Sequence, residues 1–361
     1  MPIIGILLPR SWWRPLLLLT LIFGAAPVVA QPASSQAPAP SERPASSDAV
    51  AQPETARRPQ SGNFQERIDA TARILAENPR FKNVSPEYVK RMSEFVSGNM
   101  LFVLLHEMAH AAITQMGLPV LGKMEDAADS FAAVRLIKVG SSFSNRVLTE
   151  AAEGWFLADR RDNKSGDKVA YYDEHGLNQQ RAYQIVCYMV GSDDEKFKAL
   201  ATEVKLPEER QDTCAGDYSN AAFSWDLLLK PHRRAPDQPK TEINVVYGPA
   251  TGRLEISRQA ASSIRLLETV AEHAANDFVW PAPFTLEMQS CGFPNARWDL
   301  ATHKLTLCYE LGVDFADLYR AYGDVRADGT KLADNSKRKT VGAPAYKPNR
   351  KQTQRKRKLN P

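Results

Sequence analysis

From Met100 to Ile113 the chain is apolar on nearly every side of a helical wheel. The titratable groups in that run are His106, Glu107 and His110. A helix that is apolar all round belongs in a protein interior. Two imidazoles and a carboxylate buried there are costly unless they have partners. The stretch therefore requires a fold that wraps this helix and a use for three polar groups. Side chains four apart lie on one face, one turn above the other, so His106 and His110 can point at one metal ion. Glu107 stands about 100° round the helix, where it reaches a water at the metal rather than the metal. Zinc in hydrolases takes three protein ligands and leaves a fourth position open. A carboxylate beside that position can take the proton of the attacking water. His-Glu-x-x-His has the residue types and spacing this chemistry needs.

A third ligand must come from elsewhere. Residue 116, six after His110, is methionine, so the longer HExxHxxGxxH pattern is absent. The helix is expected to break at Gly117-Leu118-Pro119 and the chain to resume as helix near Glu125. Three acids compete there: Glu125, Asp126 and Asp129. Glu125 and Asp129 share a helix face, and Asp126 points elsewhere. The longer side chain suits a direct metal bond, so Glu125 is expected as the third ligand. Asp129 is expected behind it, accepting the N–H of a ligating histidine and fixing its tautomer.

Glu-x-x-Ala-Asp following His-Glu-x-x-His resembles the gluzincin arrangement of thermolysin-like peptidases, although the interval from His110 to Glu125 is shorter here. The chain more closely resembles a bacterial metallopeptidase family known mainly as a domain of unknown function. The resemblance rests on Leu-His-Glu-Met-Ala-His at 105–110, Leu-Pro-Val-Leu-Gly at 118–122 and Glu-Asp-Ala-Ala-Asp at 125–129. It continues with Asp-Glu-His-Gly-Leu at 173–177, Gln-Arg-Ala-Tyr at 180–183, the Cys291–Asp299 segment and Leu-Cys-Tyr-Glu-Leu at 307–311. It extends from about residue 85 to 320 and implies a zinc peptidase without naming a substrate. It also marks His175, a loop histidine among acids, as a candidate catalytic residue that donates to the tetrahedral intermediate. Arg181 and Tyr183 are weaker cleft candidates.

The expected fold class is α+β: a mainly helical zincin-like domain with a small C-terminal sheet. Residues 1–30 read as a signal peptide, with Arg10 and Arg14, an apolar Leu16–Phe23 stretch and small residues before a cut at Gln31. An uncleaved membrane anchor is the alternative. Residues 31–61, rich in Pro, Ala, Ser and Gln, read as a disordered linker. Helical periodicity then governs 62–235. Expected helices begin at Phe64 and Pro86 and cover 125–139, 146–160, 177–190, 207–211 and 218–229. From 236 to 323 the pattern changes. Strands are expected at 242–247, 284–288 and 304–310, with helices at 264–278 and 314–322. No good strand precedes the His-Glu-x-x-His helix. The C-terminal strands are therefore expected to pack back on it and to edge the cleft, where a peptide can add as a further strand.

The four cysteines, Cys187, Cys214, Cys291 and Cys308, suggest disulfides in an exported chain. Short loops and a turn expected at Trp298-Asp299 favour the local pairing, 187 with 214 and 291 with 308. A cysteine zinc site is the alternative. The net charge of +4 is misleading, because Lys337 to the C-terminus contains ten Lys or Arg and no acid. The folded part is thus mildly acidic and is not a basic nucleic-acid binder. The tail at 324–361 is expected to be disordered, either as a solubilising tail or as one that touches anionic surfaces such as lipid or nucleic acid. Together these features predict an exported (periplasmic or secreted) metallopeptidase with one Zn2+ per chain, acting on a peptide or protein. The rival readings are a zincin-fold binding protein without turnover and a zinc amidohydrolase acting on a non-peptide amide.

Overall fold

The computed structural model describes residues 63–166 and 169–323. The expected signal peptide, linker and basic tail lie outside these residues. The described chain runs α1 (Phe64–Ala76), α2 (Pro86–Gln115), α3 (Met124–Val139), α4 (Ser142–Ser165), α5 (Asn178–Ser192), α6 (Asp194–Glu203) and α7 (Glu208–Leu229). It continues through β1 (Ile243–Tyr247), α8 (Arg253–Ser263), α9 (Leu266–Asp277), β2 (Phe284–Gln289), β3 (Ala296–Asp299), β4 (Lys304–Cys308) and α10 (Tyr309–Tyr322). It is mainly helical with one small mixed sheet, the α+β class expected from the sequence.

The 30-residue helix α2 is the axis of the fold. Ser85 caps it, its hydroxyl accepting the Tyr88 N–H at 3.2 Å, and Pro86 supplies a pre-set first turn. It ends where Gly117 turns left-handed (φ +63°) and Leu118 N–H returns to the Ile113 carbonyl at 2.9 Å. Helices α1, α3, α4 and α10 and strand β3 pack around it. Phe95, Phe102 and Leu104 are consequently fully buried. Truncating one of them to alanine removes about 2–5 kcal/mol.

The contact of α2 with α4 is unusually close. Asn99 donates its amide to the carbonyls of Phe95 and Glu150, both at 2.9 Å. A Cβ at Gly154 would overlap the Asn99 amide, and one at Gly98 would lie 2.9 Å from the Glu150 Cβ. These two glycines let the helix backbones approach.

The sheet order is β1-β2-β4-β3. Strand β2 is parallel to both β1 and β4, and β3 pairs antiparallel with β4. Helices α8 and α9 form the crossover that a parallel β1–β2 pair requires. Leu286, Met288, Leu305 and Leu307 are fully buried, and the edge strand β3 lies against α2. The C-terminal strands thus fold back onto the helical part, as the sequence suggests.

Several local expectations are corrected. Trp298 and Asp299 lie in β3 rather than a turn. The turn comes after them, with the Asp299 carboxylate accepting the N–H groups of Ala301 and Thr302. Residues 208–229 form one helix, not two. Packing of α7 on α5, cross-linked by Cys187–Cys214, overrides the roughly 1 kcal/mol cost of Gly216 in a helix interior. The expected 264–278 helix starts at Leu266, and a separate helix α8 precedes it across Arg265, whose φ is +56°. The final strand stops at Cys308, and α10 begins at once.

Candidate metal centre

The spacing along α2 brings His106 and His110 to one face, with their Nε2 atoms 3.1 Å apart. Helix α3 then lays Glu125, in its first turn, across them. Glu125 Oε2 is 3.0 Å from His106 Nε2 and 3.4 Å from His110 Nε2. Tetrahedral ligands at about 2.0–2.2 Å from a zinc ion stand roughly 3.3–3.6 Å from one another. The three donor atoms are therefore within a few tenths of an ångström of the separations such an ion imposes. They form a group of potential metal donors among the described residues.

The network behind the histidine supports the same reading. His106 Nδ1 is 2.8 Å from Asp129 Oδ1. Asp129 is acceptor-only when ionised, so the proton is assigned to Nδ1. In the neutral ring Nε2 then presents a lone pair to the Glu125 oxygen. Two lone pairs meeting at 3.0 Å need a cation between them, either a proton or a metal ion. Without metal that cation is a proton. Burial works to lower the His106 pKa, but Asp129 and Glu125 outweigh it and raise it to about 9. For Glu125, burial is outweighed by His106, His110 and His175, and its carboxyl is held far below the usual range.

Asp129 is itself clamped. Arg181 of α5 grips it through Nε at 2.7 Å and a terminal guanidinium nitrogen at 2.8 Å. The guanidinium lies 3.6 Å from the centre of the Trp155 ring of α4. Burial would raise the Asp129 pKa, but Arg181 and His106 bring it down to about 2. Sequence reasoning placed Arg181 in the cleft but did not foresee its hold on Asp129.

Glu107 is 7% exposed. Burial pushes its carboxyl up, against the pull of His106 and His110 and of the nearby Trp298 backbone N–H. That placement fits the register of β3. Cys308 N–H donates to the Asn295 carbonyl, so alternation along the antiparallel pair turns the peptide groups of Ala296 and Trp298 off the open edge. The Trp298 indole also donates to the Thr114 hydroxyl at 2.8 Å. No local signal in either segment announces this junction.

His175 sits at the rim, half-exposed, with Nε2 2.9 Å from Glu125 Oε2. Its backbone N–H donates to Asp173 at 2.8 Å. The bond to Glu125 raises its pKa against the effect of burial. Asp126 is exposed and outside the donor group. Cys187 is bonded to Cys214 and Cys291 to Cys308, so no free thiol is left among the described residues for the alternative cysteine metal site.

Fold and site together define an α+β protein whose buried His-Glu-x-x-His helix meets a glutamate from the next helix in a group able to hold a metal ion. Residues 66–229 match the model of a family described as "Putative metallopeptidase". The match supports the family resemblance read from the motifs, a metallopeptidase-like role and a peptide or protein substrate. It ends with α7, so the sheet lies beyond it, whereas the motif resemblance runs to about residue 320. No curated protein and no solved structure matches the chain.

Proposed function

We propose that this chain is an exported, zinc-dependent peptidase of gluzincin type. The observation that supports this most directly is the convergence of His106 Nε2, His110 Nε2 and Glu125 Oε2 at 3.0–3.4 Å, with Glu107 alongside and the open strand edge beyond it. Bound there, zinc would supply Lewis acidity toward water and the scissile carbonyl. Asp129, braced by Arg181, holds His106 in the tautomer that leaves Nε2 free for the metal. Glu107 accepts the proton of the attacking water at a carboxylate oxygen and passes it to the departing amine nitrogen. Burial raises the basicity needed for that step. An extended substrate pairs with the outward peptide groups of Ala296 and Trp298 as an added strand beside Glu107. With the Glu125 oxygen turned to the metal, His175 exchanges its Nε2–H bond to Glu125 for one to the oxyanion. Two disulfides fit an oxidising compartment, in keeping with export.

Metal analysis of the purified protein, with a peptide-library cleavage assay, tests this reading. One zinc per chain and metal-dependent cleavage are expected. Failure to bind any divalent metal stoichiometrically would overturn it.

A further inference from the structure

A cavity of about 440 Å³ lies between α1, the N-terminal half of α2, α8 and α10, and none of its lining residues belongs to the His-His-Glu group. Its wall is mostly apolar and includes Ile68, Met92, Met100, Ile256 and Val313. The volume falls within the range of small-molecule sites, about 300–1,000 Å³. Three arginines, Arg80, Arg253 and Arg320, also line it, and no aspartate or glutamate does. Asp317 pairs with Arg253 at 2.6 Å and lies 3.7 Å from Arg320, so one acid serves two of these bases. Arg80 is exposed and pairs with no acid among the described residues. A second observation is independent of this charge. Thr71 lines the same cavity and is 5% exposed, yet its hydroxyl has no hydrogen-bond partner. A helical threonine often bonds the carbonyl one turn back. A buried hydroxyl left unpaired beside a cavity calls for a partner inside it.

We propose that this cavity binds a single-chain anionic amphiphile, a free fatty carboxylate. The chain lies among the methionine, isoleucine and valine side chains, and the carboxylate meets the arginines. A volume of about 440 Å³ lies toward the lower end of small-molecule sites, so the proposed occupant is one medium acyl chain.

The test is calorimetric titration of the full chain with dodecanoate, dodecan-1-ol and phosphatidylglycerol vesicles. Dodecanoate should bind one per chain. Arg80→Ala, at an exposed position, should weaken it about tenfold, the effect of losing one charge-assisted hydrogen bond. Dodecan-1-ol should bind the wild type more weakly by a similar factor, and Ala260→Phe, which fills the cavity, should abolish binding. The proposal fails if dodecanoate does not saturate at one site, if Arg80→Ala and the alcohol bind as tightly, or if only vesicles bind. Should Ala260→Phe not fold, Arg80→Ala and the alcohol decide. Zinc content plays no part in the readout, so a failure here is separate from a failure of the peptidase reading.

Discussion

Trp298 and Thr114, 184 positions apart in the chain, are joined by an indole N–H donated to a hydroxyl at 2.8 Å, and Thr114 in turn donates to the His110 carbonyl at 2.7 Å. The edge strand is thus tied to the last turn of the helix that carries the histidines. Trp298→Phe keeps the ring and removes the donor. The expected loss is about 1 kcal/mol, seen as a lower urea midpoint with zinc content unchanged. An unshifted midpoint would show that the sheet does not depend on this bond.

Glu107→Gln keeps shape and burial but cannot accept a proton. Zinc and fold should be retained while cleavage falls by at least about 100-fold. Equal turnover in wild type and variant would eliminate Glu107 as the base.

The three neighbouring acids of α3 should separate cleanly. Glu125→Ala abolishes stoichiometric zinc, Asp129→Ala weakens it by about 10–100-fold, and Asp126→Ala, at an exposed position, leaves it nearly untouched. Competition titration measures all three. Zinc retained in Glu125→Ala but lost in Asp129→Ala would reverse the two roles.

Protons and metal compete for His106. Its metal-free pKa is raised from 6.5 to about 9, so metal affinity should rise by about tenfold per pH unit between roughly pH 6.5 and 9 as Nε2 loses its proton. The stability of the metal-free protein runs the other way. The paired imidazolium contributes fully below pH 6.5 and its contribution fades as pH rises through about 9. Asp129, lowered from 3.8 to about 2, contributes fully above pH 3.8 and loses its contribution as pH falls through about 2. Thermal melts of chelated protein should therefore show both contributions intact between about pH 4 and 6.5. Metal affinity that is flat across pH 6.5–9 would contradict the His106 assignment.

Each disulfide closes a short loop and should stabilise by about 3 kcal/mol. Replacing Cys187 and Cys214, or Cys291 and Cys308, with serine should lower the melting temperature accordingly. If the chain is exported with cleavage before Gln31, the intact mass of the native protein matches a start there and four oxidised cysteines. Four free thiols would refute the two disulfides, and a mass that retains residues 1–30 would refute the cleavage.

The parts legible in the sequence were those carried by local period. His106, His110, Glu125 and Asp129 announce themselves because four-residue spacing alone places them on shared faces. The α2 and α3 boundaries are similarly marked by Ser85-Pro86, Gly117 and Gly140. What escaped depends on distant packing. Arg181 reaches Asp129 only because α5 crosses behind α3, and the tie between Trp298 and Thr114 exists only once the sheet has folded back. The polar sequence of α8 concealed a helix that closes the crossover between two parallel strands.

The near-contact of Gly154 with the Asn99 amide has a consequence for how such chains can diverge. A side chain at 154 has no room unless the asparagine shrinks, and the asparagine's two carbonyl partners are then left to find others. Position 154 cannot gain a side chain alone. In related sequences, a residue larger than glycine at 154 should occur only where 99 is smaller than asparagine, although neither position touches the donor group.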